Sequence, residues 1–550
     1  MSNNNTVEEG TSHKNTEKVF IFGIDGGTFS LIRPWVEEGA LPAIGKIMEE
    51  GTCAISHSTT PPVSCPAWKS FATGMNPGKL GVFDLVCREP DTYTIQPPRA
   101  DMIAAPDVWD VLSEAGYRVG VFNVPVTYPP HPVNGFIVPG MLGDAQAPDF
   151  TYPPELKEEI EKMLGHSYVI EAEEETSDLD QWLKQEYALT EQKVKIAQYL
   201  LKKKKWDFFI SVFYEVDRVQ HIFWHYMDTV HPRYTPSQYE DTIKHSYQRM
   251  DTFLQQCLDL LPEDTTVIVM SDHGFGPVKG SFRLSQWLLS KSYVTLNEES
   301  MKSFFESMAS RFLKSKSSPN AQNVSQNRSS PGSIGGVYQI DWSHTKAYTT
   351  RIGNIYLNVR GREPEGIVEM GKEYDTVRNQ LIEDLSTISH SQKKTPMKVT
   401  VLKKEEVYWG PYFNDAPDLL ISMEGYFVEP GFGPLWVGLK GEGGYATGGH
   451  QKEGIFMAAG THIIRDQWMN PISIMDIAPT ILHIMDGVIP GDMDGCVLHE
   501  LFRQGSLLRE KEDIISDKRP LSTSSAPSRK CNPETDSKVL KRLQDLGYIE

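Results

Sequence analysis

Seven residues of this chain could do chemistry together. Asp25 directly follows the apolar run Val19–Ile24. Asp217 and His221 stand four residues apart, just after a run ending at Phe213. Asp272 and His273 are adjacent, just after Thr265–Met270. His450 closes the glycine-rich stretch Gly443–Gly449, where a flexible backbone can approach a ligand closely. A spacing of four puts Asp217 and His221 on one face of a helical turn, so both can reach one ion. Mixed nitrogen and oxygen ligands suit Zn²⁺ or Mn²⁺ better than Ca²⁺. Ser64 precedes Pro66, which fits the first position of a helix ended by Gly74. The dipole and free N–H groups of such a helix start favour a phosphate.

Each feature alone has a plainer reading. An Asp after a strand is commonly a helix N-cap, and so is a Ser or Cys before a helix. His57, His225 and His483 have nothing tying them to the other residues and are read as ordinary surface or core histidines. Lys69 and Lys279 lie within sequence reach of the set and could bind phosphate, but a surface lysine is the simpler reading for each. The case for chemistry rests on three Asp and three His at matching places in the chain.

Those places are set by alternating strands and helices. Val19–Ile24 is a short buried run ending in Asp25-Gly26-Gly27, a strand and then a turn. Val108, Val111 and Leu112 ride a helix ended by Gly116, with a strand over Tyr117–Val124. Helices are expected over Leu41–Glu50, Leu183–Lys205 and Tyr239–Leu261, and strands over Asp207–Phe213 and Thr265–Met270. This alternation means a doubly wound α/β core, and such sheets bind ligands at the carboxyl ends of their strands, where the three Asp features lie. The expected organisation is a disordered N-terminus (1–17) and a first core part (18–280). An inserted cap (281–440) with a mobile loop (314–336) follows, then a second core part (441–501) and a flexible tail (502–550) with a short C-terminal helix.

Composition narrows the partners. Of 550 residues, 54 are Lys or Arg and 73 Asp or Glu, a net charge of −19. That argues against a nucleic acid polymer or an anionic membrane surface as partner, so any charge that binds phosphate must be local. No apolar run approaches the ~20 residues of a membrane span, and none near the N-terminus resembles a signal peptide. The six scattered cysteines read as reduced thiols, which makes a cytoplasmic location the default expectation.

Taken in order, Phe22-Gly23-Ile24-Asp25-Gly26-Gly27, Ser64-Cys65-Pro66 to Thr73-Gly74, Asn76-Pro77-Gly78 to Gly81, Asp217 with His221, Ser271-Asp272-His273-Gly274 and Gly449-His450 resemble the alkaline phosphatase superfamily. The chain looks most like its type I phosphodiesterase/nucleotide pyrophosphatase branch, in particular the group described as predicted phosphohydrolases or phosphomutases. The resemblance spans Val19 to about Leu498. It implies a three-layer α/β/α sandwich with an inserted cap, and two divalent ions, Zn²⁺ or Mn²⁺. One ion would be held by Asp217, His221 and His450, the other by Asp25, Asp272 and His273 together with the nucleophile Ser64. The expected activity is hydrolysis of a small phosphorylated substrate, as a phosphodiester, nucleotide pyrophosphate or phosphomonoester, through a phosphoseryl intermediate.

Two departures qualify the resemblance. Nucleotide pyrophosphatases usually carry Thr where Ser64 stands, and an Asn that supports the phosphate where this chain reads Gly81-Val82-Phe83-Asp84-Leu85. The alternative is a phosphomutase of the phosphoglycerate-mutase-like type, although here the large insertion falls between His273 and His450 rather than after the nucleophile. A sulfatase is less compatible, because Trp68 stands where its Arg belongs. A non-catalytic paralogue is opposed by retention of all seven residues. The oligomeric state and the leaving group are not encoded in these motifs.

Overall fold

The computed structural model describes residues 17–89, 91–171, 176, 178–314, 338–389, 395–432, 437–438, 446–517 and 536–541. The mobile loop expected at 314–336 lies outside them apart from Lys314, as do almost all of 1–17, the residues Gly443–Tyr445 and much of the tail.

A nine-stranded sheet forms the core of the described residues. Its centre is parallel and runs Thr265–Met270, Lys18–Ile24, Phe208–Phe213, Val119–Phe122, Gly135–Val138. These strands are apolar on both faces, because helices cover both sides. One apolar cluster packs Trp68, Trp109 and Ile481 against one face, and a second packs Trp35, Tyr247 and Leu200 against the other. Three layers result, the α/β/α sandwich that the strand–helix alternation predicts.

The sheet is mixed rather than wholly parallel. Glu453–Ala459 runs antiparallel to Thr265–Met270 on one side and to Gly51–His57 on the other. Gly51–His57 follows directly on the helix Pro42–Glu50, and the sequence reading did not single it out as a strand.

A second, seven-stranded sheet is built from strands lying between Gly280 and Gly438, with the helix Lys372–Ser386 against it and its own apolar cluster around Phe282, Tyr348 and Leu419. Residues 502–517 differ from the flexible tail expected of them. Phe502 and Leu508 are buried in the core, and a bridge joins Ile489 to Ile515. Residues 536–541 are helical, with Val539 and Leu540 buried. Among the described residues no helix is long and apolar enough to cross a membrane.

Candidate active site

The carboxyl ends of three adjacent parallel strands meet at one edge of the core. Asp25 follows Lys18–Ile24, and Asp272 and His273 follow Thr265–Met270. Phe208–Phe213 leads into the helix Glu215–Met227, whose first turns carry Asp217 and His221. His450 arrives on a two-stranded ribbon, Gly448–Gln451 against Gly274–Pro277, in which it pairs with Phe275. Gly26 makes the tight turn after Asp25 at φ +68°, and a Cβ there would stand 3.2 Å from Asp217. Its N–H donates to Asp272 Oδ1 at 3.3 Å, and its carbonyl accepts from Gln220 at 2.9 Å.

Ser64 is the first residue of the helix Ser64–Thr73, so the helix begins two residues earlier than Pro66 suggests. Proline is tolerated at the third position because the first-turn N–H groups have no intrahelical partner. No side chain caps this helix start, and Gly74 closes the other end at φ +64°.

All six predicted Asp and His residues converge, in two groups of three. In each group, one ligand atom from every residue lies within 4.8 Å of the others: Asp217, His221, His450 and Asp25, Asp272, His273. The His273 and His450 rings stack with centroids 3.7 Å apart and join the groups. Ser64 Oγ is 3.4 Å from His273 Nε2.

The hydrogen bonds aim the ligand atoms inward. Nδ1 of His221, His273 and His450 faces the carbonyls of Gly448, Gly274 and Pro62 at 3.0, 3.1 and 2.9 Å. A carbonyl only accepts, so each Nδ1 carries a proton, and in the neutral ring each Nε2 keeps its lone pair. Those lone pairs point at other lone pairs. His221 Nε2 and His450 Nε2 are 3.0 Å apart and stand 3.5 and 3.2 Å from Asp217 Oδ1. His273 Nε2 is 3.6 Å from Asp25 Oδ1 and 3.2 Å from Asp272 Oδ2, and neither oxygen accepts a hydrogen bond among the described residues. This donor set fits two divalent cations, with the backbone carbonyls as the outer contacts that orient metal-binding imidazoles.

Electrostatics carries the same message. Burial, and after it the charges of Asp272 and Asp217, push the Asp25 carboxyl well above its ordinary range. Burial and Asp217 push Asp272 up to about 8. Burial lowers His221 to about 4, and burial and His450 hold His273 well below its usual value. Asp217 goes the other way. Burial opposes its ionisation, but His221 and His450 hold it below the carboxylate range. For His450, burial works downward and the Asp217 carboxylate more than offsets it. In the Asp25, Asp272 and His273 group, acids that resist ionising beside an imidazole that resists protonation define a site lacking positive charge.

Some residues behave differently from their sequence reading. Lys69 is not a surface lysine. It is buried, with Nζ 2.7 and 2.9 Å from the Asp107 carboxylate. Lys279 is exposed. Asp84 is buried and accepts from Asn354 Nδ2 at 2.9 Å. Trp68, noted in the sequence only as a departure from sulfatases, donates its indole N–H to Asp25 Oδ2 at 3.0 Å. Its position one helical turn after Ser64 was the signal that could have placed it at the site. Gln220, next to His221 on the same helix, was missed altogether.

Known proteins share this architecture. An inactive form of murine ectonucleotide pyrophosphatase/phosphodiesterase 5, solved in complex with AMP, is similar to 88% of this chain over 100% of its own, with 14% identity and a TM-score of 0.50. The human ectonucleotide pyrophosphatase/phosphodiesterase 5 gives the same coverage with 13% identity and a TM-score of 0.50. At such identities the likeness is one of fold. No curated protein matches in sequence. Residues 19–453, which include Ser64 and both clusters, match the type I phosphodiesterase/nucleotide pyrophosphatase family, and the chain belongs to that family of phosphoester hydrolases.

Proposed function

We propose that the chain hydrolyses a small phosphodiester or nucleotide pyrophosphate through a phosphoseryl intermediate on Ser64, with two divalent ions, Zn²⁺ or Mn²⁺. The observation that carries this is the set of inward lone pairs. Three Nε2 atoms and the oxygens of three carboxylates face one another beside the Ser64 hydroxyl. Asp217, His221 and His450 would hold one ion, and Asp25, Asp272 and His273 the other, with Ser64 beside it. Bound there, the ions supply the positive charge that favours a serine alkoxide and neutralises phosphate oxygens.

The chain's own groups do the rest. Ser64 Oγ forms the bond to phosphorus as the bond to the leaving oxygen breaks, and water then cleaves the seryl ester. The uncapped start of the Ser64 helix offers N–H groups to the phosphate. Trp68 occupies one Asp25 oxygen and so leaves the other for metal. Its indole also stands where a sulfatase would need Arg.

The 281–440 segment acts in this reading as the cap that shapes the leaving-group pocket. Tyr408 donates to the Thr60 carbonyl at 2.6 Å, and the Tyr412 N–H donates to the Gly78 carbonyl at 3.0 Å, so the segment leans on the chain to either side of Ser64. A small nucleotide substrate is favoured by the AMP complex of the murine protein. A cytoplasmic location belongs to the same proposal and rests on Cys53, Cys65, Cys87, Cys257 and Cys496 being free thiols.

The test is a panel of phosphomonoesters, diesters and nucleotide pyrophosphates assayed with Zn²⁺ and with Mn²⁺. Metal-dependent cleavage of diesters or pyrophosphates is expected. Phosphate returned to a second hydroxyl of the same substrate would instead make the enzyme a mutase.

A further inference from the structure

A third cluster with the same construction lies away from the active site. His483 sits in the last turn of the helix Ile477–Ile484, His499 opens the short turn His499–Leu501, and Asp513 follows the turn Leu507–Glu510. One ligand atom from each lies within 4.8 Å of the others. The His483 side chain is 1% exposed, and those of His499 and Asp513 are 39% and 24% exposed, so the cluster is anchored inside and open to water on one side.

The His483 ring is held as the active-site imidazoles are, by a backbone carbonyl on one nitrogen. His483 Nε2 donates to the Leu508 carbonyl at 2.7 Å, which leaves Nδ1 with its lone pair. That Nδ1 stands 2.7 Å from Asp513 Oδ1, yet Oδ1 accepts no hydrogen bond among the described residues. The two atoms are close without being aimed at each other. The second carboxylate oxygen, Oδ2, accepts a hydrogen bond from His499 Nε2 at 3.2 Å, a proton that a bound cation would displace. Nearby cations are engaged elsewhere: Lys511 holds the His483 carbonyl and Asp486, and Arg509 holds the His499 carbonyl. Asp513 forms no ion pair with a lysine or arginine among the described residues.

We propose that His483, His499 and Asp513 bind a further divalent cation of the Zn²⁺ class, separate from the active-site pair, which clasps the C-terminal segment to the core. Two imidazoles and a carboxylate are a ligand set for Zn²⁺, and water on the open side completes four-coordination. The ion joins the end of the helix Ile477–Ile484 to the segment 507–515. That helix packs against Ser64–Thr73, while the three ligands themselves take no part in the active-site clusters. Nothing in this depends on the chemistry assigned to Ser64.

Asp513→Asn and His499→Gln, made in the full chain, test the site. Each protein is stripped of metal, dialysed against Zn²⁺, and its metal per chain is measured by plasma mass spectrometry. Each variant should hold one ion fewer than the parent and keep its turnover. Melting of the stripped parent should rise as Zn²⁺ is added, and each variant should lose part of that rise. Equal metal content in the parent and both variants overturns the proposal. So does a loss of Tm that is the same with and without Zn²⁺, the result expected of a plain imidazolium–carboxylate pair. His499 is partly exposed, so His499→Gln keeps the test alive if Asp513→Asn fails to fold. The metal reading is a difference between proteins, so it stands whatever the active-site pair is found to hold.

Discussion

The two sheets bury carboxylates in opposite ways. In the second sheet, Asp418 is fully buried and fully supplied. The Arg362 guanidinium reaches its two oxygens at 2.8 and 2.6 Å, Lys404 stands 3.2 Å away, and the Tyr374 hydroxyl and Leu357 N–H donate at 2.7 Å each. At the edge of the first sheet, Asp25 and Asp272 are just as deeply buried, and no lysine or arginine pairs with either among the described residues. Burying an uncompensated charge costs several kcal/mol, so a site that keeps such carboxylates close together is built for a cation from outside. The second sheet spends its arginines on holding itself together. The first leaves the position of positive charge to a ligand, and puts Ser64 beside it.

That contrast can be broken by experiment, beginning with the largest effect. Ser64→Ala should lower turnover by several powers of ten, because the attacking oxygen is lost while all six Asp and His ligands remain. Metal content should barely change, and substantial activity in the purified variant would remove Ser64 from the mechanism. Exhaustive chelation should abolish turnover and lower Tm, since metal binding is linked to folding. Activity unchanged after chelation would mean that the inward lone pairs are satisfied some other way.

Trp68→Phe keeps the ring in its pocket but frees Asp25 Oδ2, and should cost about 10–100-fold in activity or metal affinity, as loss of an outer contact to a metal ligand does. A change confined to stability would make the indole a packing group only. Arg362→Leu tests the other sheet. Removing one partner from a buried pair should destabilise by about 3 kcal/mol, read in denaturant melts, while metal content stays constant. The smallest effect comes from acid. Burial works against the Asp418 charge, but Arg362 and Lys404 hold its carboxyl below the ordinary range. Its folded value lies under its unfolded one, so its stabilisation is complete above roughly pH 4 and drains away as pH falls further. Hydrogen exchange at falling pH should show Asn354–Leu357 and Leu419–Met423 loosening, and protection there that is indifferent to pH would contradict the assignment.

What the sequence disclosed follows from where its information is local. The ligands stood out because Asp25, Asp272 and His273 directly follow apolar runs, Asp217 and His221 stand four apart just beyond a third, and His450 ends a glycine-rich stretch; strand ends are where an α/β sheet places its site. The strand Gly51–His57 did not stand out. Its sequence has no alternation, and its partner Glu453–Ala459 lies some four hundred residues away. The same distance hid the antiparallel character of that part of the sheet. Lys69 read as a surface residue because its partner Asp107 belongs to another helix, and only the fold brings them together. His483 looked ordinary for the same reason. It sits within a helix with no neighbouring ligand in sequence, and Asp513 reaches it only because Phe502 and Leu508 draw a polar segment onto the core.

The central claim, that Ser64 takes the phosphoryl group beside an ion-binding cluster, has one direct measurement. The full-length enzyme loaded with Zn²⁺ or Mn²⁺ is mixed with a slowly turned-over diester, quenched in acid, and digested for mass spectrometry. The account predicts a phosphoryl or nucleotidyl adduct on the peptide containing Ser64, dependent on metal and absent from Ser64→Ala. An adduct on another residue, or steady turnover with Ser64 never modified, would contradict it.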